Sequence, residues 1–326
     1  KNYIFIPVIS LFLNLILSTE VFAYKYGLGS CLDQRFKQDI WQSIKKENID
    51  GFIFLGDNVY GDTPSGKLSK MESAYKIQQT KLPEWLMSEK EILAIWDDHD
   101  FGINDGGGDY PFKKEAQKLF LEFWKIPGLD PRSTREGIYF KQTKQIEDLE
   151  VEIIGLDTRY FRSPLKGKKN SYAQNMDSEA TILGTEQWKW LETSIYNSTA
   201  DVIVILSSIQ ILATNHPYEK WDNFPMERER LLGLIANASK NTTILAVSGD
   251  RHRSGIYQND HFVEITASSL NKPASKNIET DPLLLGKTYP IKNFGILDIE
   301  PSKKKITLSI HDQNGFKLNS KILNLN

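Results

Sequence analysis

Successive apolar runs in this chain end on side chains that can do chemistry. Tyr24-Lys-Tyr-Gly-Leu28 leads into Gly29-Ser30-Cys31, and Phe52–Leu55 into Gly56-Asp57-Asn58-Val59-Tyr60-Gly61-Asp62. Ile92–Trp96 runs into Asp97-Asp98-His99-Asp100, and Val151–Leu156 into Asp157-Thr158-Arg159. Ile244–Val247 is followed by Ser248-Gly249-Asp250-Arg251-His252. Each residue has an ordinary explanation when taken singly. A lone cysteine packs as a small hydrophobe, and an Asp after a strand closes a turn or caps a helix. A tyrosine beside apolar neighbours belongs to the core. Together they would set several carboxylates on one sheet edge, where they repel unless a cation offsets them. Carboxylates suit hard ions such as Ca²⁺ or Mg²⁺, whereas imidazole and thiolate suit iron or zinc. The mixed set points to two unlike metals sharing a carboxylate, an arrangement suited to in-line displacement at phosphorus.

For these residues to meet, the runs must be strands of a common architecture with their carboxyl ends at one edge. Short apolar runs bounded by turn residues read as buried strands. Val202–Leu206 is a further such run. Asp33 is expected to cap a helix carrying Phe36, Ile40, Trp41 and Ile44 on one face. Helices are expected around 112–124, 185–196 and 225–239, the last opening on Pro225, a favourable first-turn residue. Beyond residue 250 the pattern turns to strands at His261–Thr266, Phe294–Ile299 and Ile306–His311. Alternation followed by strand pairing predicts mixed sheets. With no repeat or linker, residues 24–326 are expected to form one domain. The polar loops 61–70, 102–110 and 163–180 are expected to be its mobile parts, and 104–110, with three glycines, to rim the pocket.

The motifs Gly56-Asp-Asn-Val-Tyr60, Trp96-Asp-Asp-His-Asp100 and Ser248-Gly-Asp-Arg-His252 resemble the metal motifs of the calcineurin-like metallophosphoesterases. The similarity is greatest to the alkaline phosphatase D (PhoD-like) family. Gly29-Ser-Cys31 stands where that family replaces the first metal motif. Trp221-Asp-Asn-Phe-Pro225 and Glu227-Arg-Glu-Arg-Leu231 resemble its later signature. The resemblance implies an α/β fold, a four-layer αββα sandwich with two mixed β-sheets. It also implies a phosphate-ester substrate. By position, Cys31, Asp57, Tyr60 and His252 would hold an Fe³⁺-like ion. Asp57 would bridge to a second ion, Ca²⁺, completed by Asp98 and Asp250. His99 stands at the catalytic histidine position, with Asp100 expected to orient its ring. Arg159, Arg253 and His216 are candidates for substrate contact, and His216 and Asp222 for a second-site ligand missing after Val202–Leu206. The superfamily commonly has Asn at the position of Asp98 and His at that of Asp250, so the second site here is richer in oxygen and favours calcium. Phosphomonoesterase, phosphodiesterase or phospholipase chemistry, and a catalytically silent metal-binding protein, all remain compatible with these motifs.

The chain has 326 residues, 40% hydrophobic and 25% charged, with a net charge of −2. No basic surplus marks a nucleic-acid binder, and no basic run adjoins the motifs. Lys1 followed by an apolar core ending at Val21-Phe22-Ala23 reads as a secretory signal peptide over 1–23. The apolar core falls short of the roughly 20 residues of a membrane span. A secreted or periplasmic monomer without a retained anchor is therefore expected. With Cys31 as its single cysteine the chain cannot form an internal disulfide.

Overall fold

The computed structural model describes residues 23–325 apart from 65, 66, 241, 261 and 275. The expected leader therefore lies outside the described residues except for Ala23. In chain order the strands are β1 (Tyr24–Gly29), β2 (Gly51–Leu55), β3 (Glu91–Ile95), β4 (Phe140–Ile146), β5 (Leu149–Gly155), β6 (Lys166–Lys168) and β7 (Ser171–Ala173). They continue with β8 (Val202–Ser207), β9 (Thr243–Ser248), β10 (Gly255–Gln258), β11 (Val263–Thr266), β12 (Asn293–Glu300), β13 (Lys305–Asp312) and β14 (Lys317–Asn324). The helices are α1 (Trp41–Lys46), α2 (Ser69–Lys81), α3 (Glu84–Glu89), α4 (Asp98–Phe101), α5 (Lys113–Phe123), α6 (Gly184–Tyr196) and α7 (Pro225–Ala238).

Two six-stranded sheets dominate, ordered β14-β13-β12-β1-β2-β3 and β10-β11-β9-β8-β5-β4. Both are mixed: β1–β3 run parallel beside an antiparallel β12–β14 meander. In the second sheet β5, β8, β9 and β11 run parallel between the antiparallel edges β4 and β10. Strand alternation explains the layering. Val202, Val204 and Leu206 point into the core between the sheets with Ile153, Leu245, Val247 and Leu297. The intervening Ile203 and Ile205 point outward to Trp188 and Leu191 of α6 and to Leu231 and Ile235 of α7. Because both faces are covered, these strands read as unbroken apolar runs. Burying a side chain of this size contributes about 1.5–3 kcal/mol.

The late signature serves this layering. The Trp221 indole donates to Ser207 Oγ (3.0 Å). Glu227 accepts from Trp188 Nε1 and from the backbone of Ile182 (2.7 and 2.8 Å), tying α7 to the start of α6. Other local expectations are corrected. Asp33 caps no helix: its buried carboxylate accepts from the backbone, Nε and Nη2 of Arg35, and α1 begins only at Trp41, leaving Phe36 exposed. The 163–180 loop contains the β6–β7 hairpin.

Candidate metal and catalytic site

Parallel strands deliver their carboxyl ends to one edge, and here both sheets do so side by side. Contacts between the loops seal the seam. Trp96 Nε1 donates to Asp157 Oδ1 (2.9 Å), and Ser208 Oγ, after β8, to Asp97 Oδ1 (2.5 Å). The loop after β2 can turn so sharply because Gly56 sits at φ 96°, where a Cβ would stand 2.4 Å from that of Asp97. Cys31, Asp57, Asp250 and His252 all have φ between 52° and 63°. Four non-glycine residues in the left-handed region at one edge are backbone strain that a functional site retains.

These turns bring ligand atoms together. Those of Cys31, Asp57 and His252 lie within 4.8 Å of one another, as do those of Asp57, Asp98 and His99. Asp57 belongs to both sets. Tyr60 Oη donates to Asp57 Oδ2 (2.9 Å) and lies 3.5 Å from His252 Nε2, while Cys31 Sγ is 3.5 Å from Asp57 Oδ2. The His252 Nδ1 proton goes to the carbonyl of Lys272, so Nε2 is the nitrogen presented to the site. Asp250 joins Asp57, Asp98, His99 and His252 on the walls of a cavity of about 230 Å³, which Arg251 and Arg253 also line. A larger groove of about 590 Å³ beside α5 has no cysteine, histidine or aspartate in its lining, so size does not locate the chemistry.

Electrostatically the cluster is short of positive charge. Burial, with repulsion from Asp98 and Asp100, pushes Asp57 up to about 8 despite the nearby His99. Burial and Asp57 together drive the Cys31 thiol and the Tyr60 phenol well up. Burial and Asp97 do the same to Asp250. Burial would raise Asp98 too, but the His99 and Arg159 cations hold it low. Burial lowers His252 to about 4, leaving a neutral imidazole ready to ligate. Asp98 Oδ1 is buried without a hydrogen-bond partner. A thiol, a phenol, an imidazole and three carboxylates around such an orphan fit cations on both sides of Asp57.

Three expectations change. Asp100 does not orient His99. It sits at the third position of α4 and its carboxylate turns back to the backbone of Asp97 (2.6 Å) and of Asp57 and Asn58 (3.2 Å each), bracing the loop after β2. His99 Nδ1 is instead held by Asp62, at 2.7 and 2.8 Å. Arg159 is fully buried in pairs with Asp97 (2.5 Å) and Glu219 (2.5 Å), and Arg162 completes the network on Glu219 (2.8 Å). It has no surface left for substrate. His216 hydrogen-bonds Gln210 (3.1 Å) and, with Asp222, lines a separate depression, so neither supplies the missing ligand. Ser208 and the Asp97–Arg159 pair occupy the ground after β8. Arg253 does reach the cavity, tied to Glu279 (3.5 Å) beside Arg251 (2.5 Å).

Asp62 was missed because a second acid in a Gly-rich turn looks like turn chemistry; only its contact with His99 distinguishes it. Burial lowers His99, but Asp98, Asp57 and Asp62 outweigh that and carry it up to about 10. The Tyr60 ring lies 4.2 Å from the imidazole, centroid to centroid.

The chain is similar to several known proteins. Alkaline phosphatase D of Bacillus subtilis (strain 168) is 27% identical over 322 residues, covering 79% of this chain and 53% of that protein. The chain thus spans about half the length of this curated relative. A solved PhoD structure superposes with a TM-score of 0.73 at 17% identity, covering 93% of this chain and 70% of the other. GAP50, the anchor in the inner membrane complex of Plasmodium, gives 0.64 at 13% identity over 93% and 89%. The purple acid phosphatase PPD1 of yellow lupin seeds gives 0.58 at 13% over 94% and 54%. At such identities the structural likeness speaks for the fold alone. The family model described as PhoD-like phosphatase matches residues 112–307, which include the Asp250–His252 turn and the Trp221 signature. With that match over more than half of its length, the chain belongs to the PhoD-like phosphatase family.

Proposed function

We propose that this chain is the catalytic domain of an exported, metal-dependent phosphoric ester hydrolase that works as a monomer. The observation that carries the reading is Asp57, shared between two ligand clusters on the floor of one cavity. Cys31, Tyr60 and His252 would hold an Fe³⁺-like ion on one side of it. Asp98 and Asp250 would hold a hard ion, Ca²⁺, on the other. When bound, such ions supply Lewis acidity toward phosphoryl oxygens and a nucleophile at neutral pH.

The remaining work falls to the chain's own residues. His99, protonated and held through Nδ1 by Asp62, presents Nε2 to the reacting phosphate and donates a proton to the leaving oxygen. General acid help of this kind contributes about 10²–10⁴ in rate. Arg251 and Arg253 place guanidinium charge on the cavity wall, suited to phosphate oxygens. Glu279 and the Tyr218 ring, 4.5 Å from the Arg251 guanidinium, hold that wall in place. Asp100 and the Asp97–Arg159–Glu219–Arg162 network keep the two metal loops in register.

The test is hydrolysis of a chromogenic phosphomonoester and the matching diester by protein supplied with iron and calcium, with and without chelator. Turnover abolished by chelator supports the reading, and the preferred ester separates a phosphatase from a phosphodiesterase or phospholipase. Metal-loaded protein with no turnover on either would overturn it in favour of a silent metal-binding role.

A further inference from the structure

The stretch Ala267-Ser-Ser-Leu-Asn-Lys-Pro-Ala274 leads out of β11 and packs against the loops that carry Cys31 and His252. Leu270 donates its backbone N–H to Ser30 O (2.9 Å), and Ala274 donates to His252 O (2.8 Å). Ser268 Oγ accepts from the His252 backbone (2.7 Å) and lies 3.1 Å from Cys31 Sγ. The Asn271 amide holds the backbone of Asp33 by both its N–H and its carbonyl, at 2.8 and 2.9 Å. The stretch is thus fastened on either side of Lys272. Pro273 disfavours a helical backbone at Lys272 and narrows its conformations further.

Lys272 touches two of the candidate ligands at once. Its carbonyl accepts the His252 Nδ1 proton, and its ammonium lies over the Tyr60 ring, 3.3 Å from the centroid. Lysines ordinarily lay their stems on apolar surface and send the charge to water. Here the charged end itself meets the ring. Its ion-pair partner does not consume that charge: Asp33 Oδ2 stands 3.6 Å from Lys272 Nζ and is already engaged by Arg35 at 2.6 Å. A cation over a phenol face is attracted by the ring, and a phenol that ligates a metal does so deprotonated, which adds a full charge to the attraction. In sequence Lys272 lies 20 residues beyond His252 and outside every metal motif, and only folding sets it against Tyr60.

We propose that Lys272 is a positioning residue for the first metal position and acts through Tyr60. Its ammonium offsets phenolate charge, so the phenolate donates less to an Fe³⁺-like ion and leaves it the stronger Lewis acid toward phosphate. This deepens the proposed hydrolase reading and rests on it, and within it on Tyr60 as a ligand. Positive charge set against the ring stabilises the electron donor more than the acceptor. It therefore moves the phenolate-to-iron charge-transfer absorption to shorter wavelength.

The test compares wild type, Lys272→Met, Lys272→Arg and Tyr60→Phe after supply of iron and calcium. The visible spectrum, iron content, kcat and KM are recorded on the same samples. Methionine removes the charge and keeps the carbonyl on His252, whereas arginine keeps both. The expected result is a visible band in wild type that Tyr60→Phe abolishes. In Lys272→Met that band moves to longer wavelength by roughly 20 nm, the scale of a desolvated cation–π contact. Iron content and KM stay near wild type, kcat falls, and Lys272→Arg behaves as wild type. An unmoved band in iron-loaded Lys272→Met, or a moved band with unchanged kcat, overturns the proposal. If Lys272→Met loses its iron, Lys272→Arg decides. Iron and band regained with arginine uphold the role of the charge, while iron lost from both variants assigns Lys272 to packing alone and overturns it. Iron-loaded wild type with no Tyr60-dependent band rejects this inference together with the metal assignment. The expected shift in protein without turnover upholds Lys272 as the partner of Tyr60 and rejects the hydrolase reading.

Discussion

Asp62→Asn isolates the carboxylate contact behind the His99 ring. Asp62 holds His99 Nδ1 at 2.7 and 2.8 Å, while the Tyr60 ring supports the imidazole from the side. With cations at Asp57 and Asp98, the charge of those two carboxylates is largely offset, and Asp62 becomes the principal partner of the protonated ring. A hydrogen bond to a charged group contributes about 1.5–3 kcal/mol. At about 1.36 kcal/mol per tenfold in rate, its loss would slow turnover roughly 10- to 150-fold. The Asp62 side chain is 26% exposed, and Asn still offers an acceptor oxygen, so the lower end of that range is expected. The assay is steady-state hydrolysis of a chromogenic ester, with metal content measured on the same samples. The loss should appear in kcat, with KM and metal content near wild type. His99→Ala should cost about 10²–10⁴, and the double variant should be no slower than His99→Ala alone, because Asp62 acts only through the ring. A fully active Asp62→Asn enzyme, or losses that multiply in the double variant, would refute the reasoning.

Other perturbations probe the frame around the site. Arg159→Gln leaves Asp97 and Glu219 buried without their cation and should cost about 3–5 kcal/mol in urea unfolding; a change below about 1 kcal/mol would mean the network is not structural. Gly56→Ala forces a Cβ to 2.4 Å from that of Asp97 at φ 96°, so metal retention and thermal stability should both fall. At the far end of β3, burial alone would raise Glu91, but donation from Tyr24, Lys144 and Tyr26 outweighs it and leaves the carboxyl below its ordinary 4.5. That stability is present above the unfolded value and lost as pH falls through the folded one. Glu91→Gln should therefore flatten the fall in Tm below about pH 4.5, and an unchanged acid slope would count against the pairing.

The strands and the loops that follow them were legible because their signals are local. A short run of strand-forming residues that ends on turn residues declares a buried strand and the loop after it, and this held for β1–β3, β5, β8 and β9. β4 and β14 escaped notice because Lys141–Gln145 and Lys317–Asn324 lie on sheet edges, where polar residues are tolerated and the periodicity is weak. Asp33 misled for a related reason: an Asp before an amphipathic stretch signals a cap, yet Arg35 two residues on captures its carboxylate. The errors at the site share one cause. Asp100 and Asp62 both stand near His99, and sequence gives no direction for either side chain; α4 turns Asp100 back into its own loop. Arg159 looked like a phosphate ligand because its counter-charges, Asp97 and Glu219, lie about 60 residues away on either side. Long-range pairing decides such roles, and one sequence does not display it.

The central claim is that Asp57 joins two metal positions into one hydrolytic site. Metal content per chain should be measured by elemental analysis for wild type and Asp57→Asn after supply of iron and calcium, with ester hydrolysis recorded on the same samples. The account predicts at least two ions per wild-type chain, loss of metal from both positions in the variant, and loss of turnover with it. A variant that keeps its full metal complement and its turnover, or a wild type that binds no metal while hydrolysing esters, would contradict it.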